Sequence, residues 1–278
     1  MSLMKLAFSV VVLGFLTLAG WVQADERIEL QGNLTQGGMV LGKTDPAAQV
    51  YLKGEPVRVS SKGQFVFGFG RDHRPSADLK IVLPTGEELN RTLEIKSRKY
   101  KVERIDGLPP SKVTPKPDVI ARIRKENAEI ARIRAIFTEE NWFNSGWIWP
   151  AKGRVSGVYG SQRVLNGIPK RPHFGLDVAA PVGTEVVATT DGMVRMAEKD
   201  LYYTGGTIMI DHGFGLVSVY SHLSKLTVEP GTFVRQGEKI GEIGSTGRSS
   251  GPHLDWRLNW FKERLDPELL LPELPATN

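Results

Sequence analysis

The 278-residue sequence contains no cysteine. That absence excludes disulfides, thiolate metal ligands and lipid attachment through a Cys, so packing alone must stabilise the fold. A large excess of one charge sign is also lacking. The formal net charge is +5, and it falls to +4 without the first 24 residues, which hold Lys5 and no acidic residue. Nucleic-acid binding ordinarily rests on a denser basic stripe, and a mild excess suits a solvated surface near anionic envelope polymers. No apolar run reaches the roughly 20 residues needed to span a bilayer. The one apolar run near that length, Leu6 to Gly20, lies behind Lys5 and ahead of the small-residue site Val22-Gln23-Ala24. This reads as a signal peptide over residues 1–24, giving a periplasmic or secreted protein with no stable membrane insertion after its removal.

What is abundant is glycine and proline, 30 and 17 residues, which favour many turns and short strands. Residues 25–105 alternate apolar and polar positions in short runs such as Val50-Tyr51-Leu52 and Phe65-Val66-Phe67-Gly68-Phe69. Their composition resembles small immunoglobulin-like β-sandwiches. Residues 106–145 join a Pro-rich hinge, Leu108 to Pro117, to a connector helix whose stripe is Ile120, Ile123, Ile130, Ile133 and Phe137. Residues 146–265 carry turn signals every eight to twelve residues between runs such as Thr207-Ile208-Met209-Ile210, as expected of an antiparallel β domain. Residues 266–278 form a C-terminal tail.

Four of the five histidines lie in this second domain. His173-Phe174-Gly175-Leu176-Asp177 puts an imidazole and a carboxylate on one face if the chain is extended, because side chains alternate with period two. In Gly251-Pro252-His253-Leu254-Asp255-Trp256 the same period sets His253 and Asp255 on one face and Leu254 and Trp256 on the other. Imidazole and carboxylate both ligate zinc, and a catalytic zinc site typically takes three protein ligands. A His–Asp hydrogen-bonded pair on a sheet rim explains these two motifs equally well. His222, in Tyr220-Ser221-His222-Leu223 at the end of an apolar strand, suits a donor to developing negative charge. His212, in the turn Asp211-His212-Gly213, and His73, in a polar loop, suit structural roles.

The order His173-x-x-x-Asp177, Tyr220-x-His222-Leu223, Gly251-Pro252-His253-Leu254, within glycine-rich β sequence, resembles the lysostaphin-type (LytM-like) zinc endopeptidases. Val158-Tyr159-Gly160, Arg163 and the spaced glycines from Gly231 to Gly241 agree, and the likeness covers about residues 150–262. The resemblance implies a mainly β fold: an antiparallel β-sheet peptidase domain of lysostaphin/LytM type, here preceded by the immunoglobulin-like sandwich and connecting helix. It further implies one zinc ion per chain held by His173, Asp177 and the residue at 255. His253 would be general base towards the attacking water, and His222 would steady the tetrahedral intermediate. The implied substrate is the stem or bridge peptides of peptidoglycan, with no role for nucleic acid.

One position departs from that pattern. Asp255 stands where the family usually places the second histidine of His-x-His. Carboxylate oxygen binds zinc at about 2.0–2.2 Å, so three-ligand coordination survives. The charge changes, because zinc with two carboxylates and one neutral histidine sums to zero, against +1 for two histidines and one carboxylate. A less positive centre acidifies water less strongly, so a higher pH optimum or a looser choice of metal is expected. The same chemistry allows His253 to be the ligand and Asp255 the base or an outer partner. A non-catalytic relative that binds wall and activates other hydrolases, through a regulatory protein partner, is the alternative function.

Overall fold

The computed structural model describes residues 27–105 and 117–272, so the expected signal peptide and most of the Pro-rich hinge lie outside the described residues. The first unit contains seven strands: β1 (Glu29–Gly32), β2 (Met39–Lys43), β3 (Gln49–Leu52), β4 (Glu55–Val57), β5 (Gln64–Gly68), β6 (Ser76–Val82) and β7 (Glu88–Glu94). They form two antiparallel sheets, ordered β1-β2-β5 and β4-β3-β6-β7. The alternation seen in the sequence packs them face to face: Val40, Val50, Leu52, Phe65, Phe67, Leu79 and Ile81 fill one buried cluster. Burying such side chains stabilises by roughly 1.5–3 kcal/mol each.

After β8 (Val102–Ile105) comes α1 (Ile120–Arg134), and then β9 (Arg154–Gly157), β10 (Gln162–Leu165), β11 (Ile168–Pro169), β12 (Leu176–Ala179) and β13 (Glu185–Val187). The long strands β14 (Gly192–Leu201), β15 (Gly205–Gly213) and β16 (Leu216–Leu226) precede β17 (Phe233–Val234), β18 (Lys239–Ile243), β19 (His253–Trp260) and β20 (Glu263–Leu265). The principal sheet runs β17-β14-β15-β16-β19-β12-β9, with β18 paired to β13 and β16 and β20 paired to β19; every pairing in it is antiparallel.

Strands β15 and β16 are apolar on both faces because both faces are covered. Ile208, Ile210 and Tyr220 enter the cluster that also holds Leu254 and Trp256. Met209, Val217 and Val219 turn the other way, onto Ile133 of α1, which is 1% exposed. The helix is fixed along its length: Arg122 bonds the Asp200 backbone carbonyl and carboxylate, and Glu126 accepts from Tyr202 N–H at 2.9 Å. No helix among the described residues is long and apolar enough to cross a membrane.

Two connections cross the boundaries expected from the sequence. Strand β8, grouped there with the first domain, pairs in parallel with β10, register Gln162 to Val102 through Leu165 to Ile105. Local pattern cannot show this, because the partner lies some sixty residues on. Met39 and Val66, on the outer faces of β2 and β5, also share a cluster with Phe143, Phe214, Leu216, Leu258 and Leu265. Polar ties reinforce the contact, with Arg71 donating to Gly160 O at 2.7 Å and Arg98 paired to buried Asp266 at 2.6 Å. Residues 266–272 are therefore held rather than trailing: Asp266 accepts from Glu268 N–H at the start of a short 3-10 turn, and Trp149 donates to Pro272 O.

Candidate metal centre and flanking histidines

Strands β12 and β19 are neighbours, with Asp177 directly opposite Asp255. Both side chains therefore leave the same face of the sheet side by side. His173 is not on the strand with Asp177, as the alternation had suggested: β12 begins at Leu176, and His173 lies three residues earlier. It is fixed by two backbone bonds to the preceding loop, His173 N–H to Ser161 O at 2.7 Å and Gly160 N–H to His173 O at 2.8 Å. The chain bends at Gly175, where there is no room for a side chain. A Cβ at that position would lie 2.4 Å from Asp255 Oδ1 and 2.8 Å from both Arg257 Cγ and Trp256 O. Gly157 performs the same service on the other flank, where a Cβ would lie 2.2 Å from Asp177 Oδ2.

The result is a cluster in which donor atoms of His173, Asp177 and Asp255 all lie within 4.8 Å of one another. His173 Nε2 and Asp177 Oδ1 are 3.1 Å apart, close to the separation of about 3.4 Å that bond lengths near 2.1 Å give two ligands of a tetrahedral ion. Both atoms are buried and neither has a hydrogen-bond partner. They are within ion-pair distance of each other but lack hydrogen-bond geometry, an arrangement that a divalent cation between them would complete. The donor set thus fits zinc. Burial lowers the pKa of His173, but Asp177 and then Asp255 outweigh it, and the net direction is upward. The pocket is one that favours positive charge.

Asp255 has a partner that the sequence reading missed. Arg257 Nε donates to Oδ1 at 2.9 Å and to Oδ2 at 3.1 Å, and its terminal nitrogen also bonds Oδ2. Burial alone raises the Asp255 pKa, but the guanidinium overrides it and holds the carboxyl well below the usual range. The signal was present, since period two puts residue 257 on the face of 253 and 255. Leu254 and Trp256 lie on the opposite face, fully buried in the core.

His222 and His253 stand together, ring centroids 4.7 Å apart. His253 lies opposite Ala179 at the start of β19, and its Nδ1 donates to Gly251 O at 2.8 Å. With the proton fixed on Nδ1, the neutral ring carries its lone pair on Nε2. His222 lies within β16, at an irregularity in its pairing, with φ of +66°. A non-glycine residue in this region is uncommon, and such conformations concentrate at functional sites. Thr246 sustains it: its carbonyl accepts from His222 Nδ1 at 2.8 Å, while its hydroxyl accepts from Gly206 N–H and donates to Leu223 O, both 2.9 Å. Nothing in the sequence motifs singles out Thr246. Burial lowers the His222 pKa. His212 is fully buried elsewhere, between Asp191 O and Ser218 Oγ at 2.7 Å each, and has a structural role.

The β-sheet carries a His/Asp/Asp cluster that could hold a metal ion beside two paired histidines, and residues 171–267 match the model of peptidase family M23. The chain belongs to that family through this domain. The peptidoglycan DD-endopeptidase ShyA of Vibrio cholerae is 41% identical over 110 residues, 39% of this chain and 25% of ShyA. The chain thus spans about a quarter of that relative's length. The catalytic domain of the antimicrobial peptidase lysostaphin from Staphylococcus simulans is 30% identical, covering 46% of this chain and 92% of that domain with a TM-score of 0.37. A peptidase M23 crystal structure from Pseudomonas aeruginosa, 27% identical, superposes with a TM-score of 0.66 over 86% of this chain and 95% of its own.

Proposed function

We propose that this protein is a zinc metalloendopeptidase that hydrolyses peptide cross-links or bridges of bacterial peptidoglycan outside the cytoplasm. His173, Asp177 and Asp255 would hold the ion, one per chain. The observation that carries the reading is the cluster of His173, Asp177 and Asp255 donor atoms within 4.8 Å of one another, set beside two oriented imidazoles. Zinc in such a site supplies Lewis acidity to a peptide carbonyl and to water.

The chain's own residues do the rest. His253, its Nδ1–H held by Gly251 O, presents Nε2 as general base towards the attacking water. His222, its Nδ1–H held by Thr246 O, becomes an Nε2 donor on taking a second proton, which negative charge growing beside it favours. The name of ShyA supports peptidoglycan as the substrate class.

One observation favours the alternative of a wall-binding regulator without catalysis: both oxygens of Asp255 are engaged by Arg257. The deciding experiment uses the purified chain, its zinc content and mass spectrometry of fragments released from defined peptidoglycans, with and without a chelator. The expected outcome is about one zinc per chain and peptide-cleaved fragments that vanish with chelation. A chain that holds zinc and binds wall yet releases no such fragment refutes catalysis.

A further inference from the structure

The geometry points to Asp255 and Arg257 acting as one unit, in which Arg257 is a positioning residue that makes a carboxylate serve where a neutral imidazole would otherwise stand. The inference rests on the proposed metal site and goes beyond it. Asp255 is 3% exposed and sits opposite a second carboxylate, Asp177, so the site gathers two negative charges in a small buried volume. Arg257 offsets one of them through a forked contact to both oxygens of Asp255. With a divalent ion, two carboxylates and this guanidinium, the local charge is +1, the value that a single carboxylate and two neutral histidines would give. The deficit expected from the aspartate alone is thereby removed.

Orientation follows from the same contact. A carboxylate carries about four acceptor positions, and the guanidinium takes one on Oδ1 and two on Oδ2, so Oδ1 keeps a lone pair for a further partner. The bare backbone at Gly175 gives Asp255 and the Arg257 stem the room to lie there together. Asp255 and Arg257 are two apart on one strand, so a change at one leaves the other facing the ion.

The consequence is that histidine cannot simply replace Asp255. In Asp255→His, Arg257 becomes an unpaired cation beside the ion, and zinc should bind at least tenfold more weakly than in the unaltered chain. In Asp255→His with Arg257→Gln, that repulsion is gone, and affinity should return to within about threefold of the starting value. Affinities are measured on the full chain by competing Zn2+ against a chelating dye, with circular dichroism and thermal melting to verify folding. If Arg257 only braces the strand, the double variant will hold zinc no better than Asp255→His, and the inference fails. It fails equally if Asp255→His binds as tightly as the unaltered chain. Should Asp255→His not fold, Asp255→Asn with and without Arg257→Gln repeats the comparison, with the same order expected. Zinc binding that is indifferent to His173→Ala overturns the proposed metal site itself, and this inference with it.

Discussion

The sharpest structural demand at this site falls on a residue with no side chain. Replacing Gly175 with alanine introduces a methyl 2.4 Å from Asp255 Oδ1 and 2.8 Å from both Trp256 O and Arg257 Cγ. The carboxylate and the arginine stem can move; the Trp256 carbonyl belongs to β19 and cannot move without disturbing its pairing with β12. Overpacking of this kind costs about 1–3 kcal/mol. For a protein of this size that is a fall in melting temperature of roughly 2–4 °C per kcal/mol. Displacing Asp255 should also weaken zinc binding about tenfold, the effect of 1.4 kcal/mol. The control is Gly251→Ala. Although Gly251 opens the His253 motif, a Cβ there meets nothing within 4 Å, and both quantities should stay unchanged. Dye-competition zinc titrations and thermal melts on the two variants test this. Equal behaviour of Gly175→Ala and Gly251→Ala would refute the account of how the carboxylate is placed.

Three further outcomes are expected. Burial lowers the His212 pKa from 6.5 to about 4, so the unfolded chain takes up this proton more readily, and the stability gained from a neutral His212 is complete above pH 6.5 and lost as pH falls towards 4. The gap corresponds to about 3 kcal/mol. Urea unfolding between pH 7 and 4 should show a shallower acid slope in His212→Asn, and an unchanged slope would contradict it. Ile133→Ala should destabilise by about 2–5 kcal/mol in thermal melts, because it empties the contact between α1 and the sheet, while zinc affinity holds. Thr246→Val removes the hydroxyl that ties Gly206 to Leu223, so turnover should drop about tenfold with zinc content unaltered.

Much of the site could be read from the chain because it obeys local periodicity. The alternation His253, Leu254, Asp255, Trp256 fixed which groups face the core and which face Asp177. Extending it by one more step would have revealed Arg257. His173 escaped the same rule because the chain bends at Gly175 before β12 begins, and the glycine required there answers to Asp255 and Arg257 on a strand about eighty residues away. The bond from His222 to Thr246 and its unusual backbone angle depend on the meeting of an irregularity in β16 with the loop after β18 and leave no pattern. In the fold, the β texture and the helix were plain, although of the expected stripe only Ile133 is buried, Ile120 is exposed and Phe137 lies beyond the helix end. The parallel pairing of β8 was not, although Met39 and Val66, apolar at positions that should face water, hinted at a second partner for the sandwich.

The pairing of β8 with β10 ties the segment that leaves the first unit to the loop that holds His173. Gln162 N–H bonds Lys101 O at the edge of that pairing, and the adjoining Ser161 carries the hydrogen bond that seats His173. The first unit is thus linked to the imidazole through Gln162, the first residue of β10, and its neighbour Ser161. Severing the module would leave β10 with a bare edge, and the histidine would hang from an unsupported span.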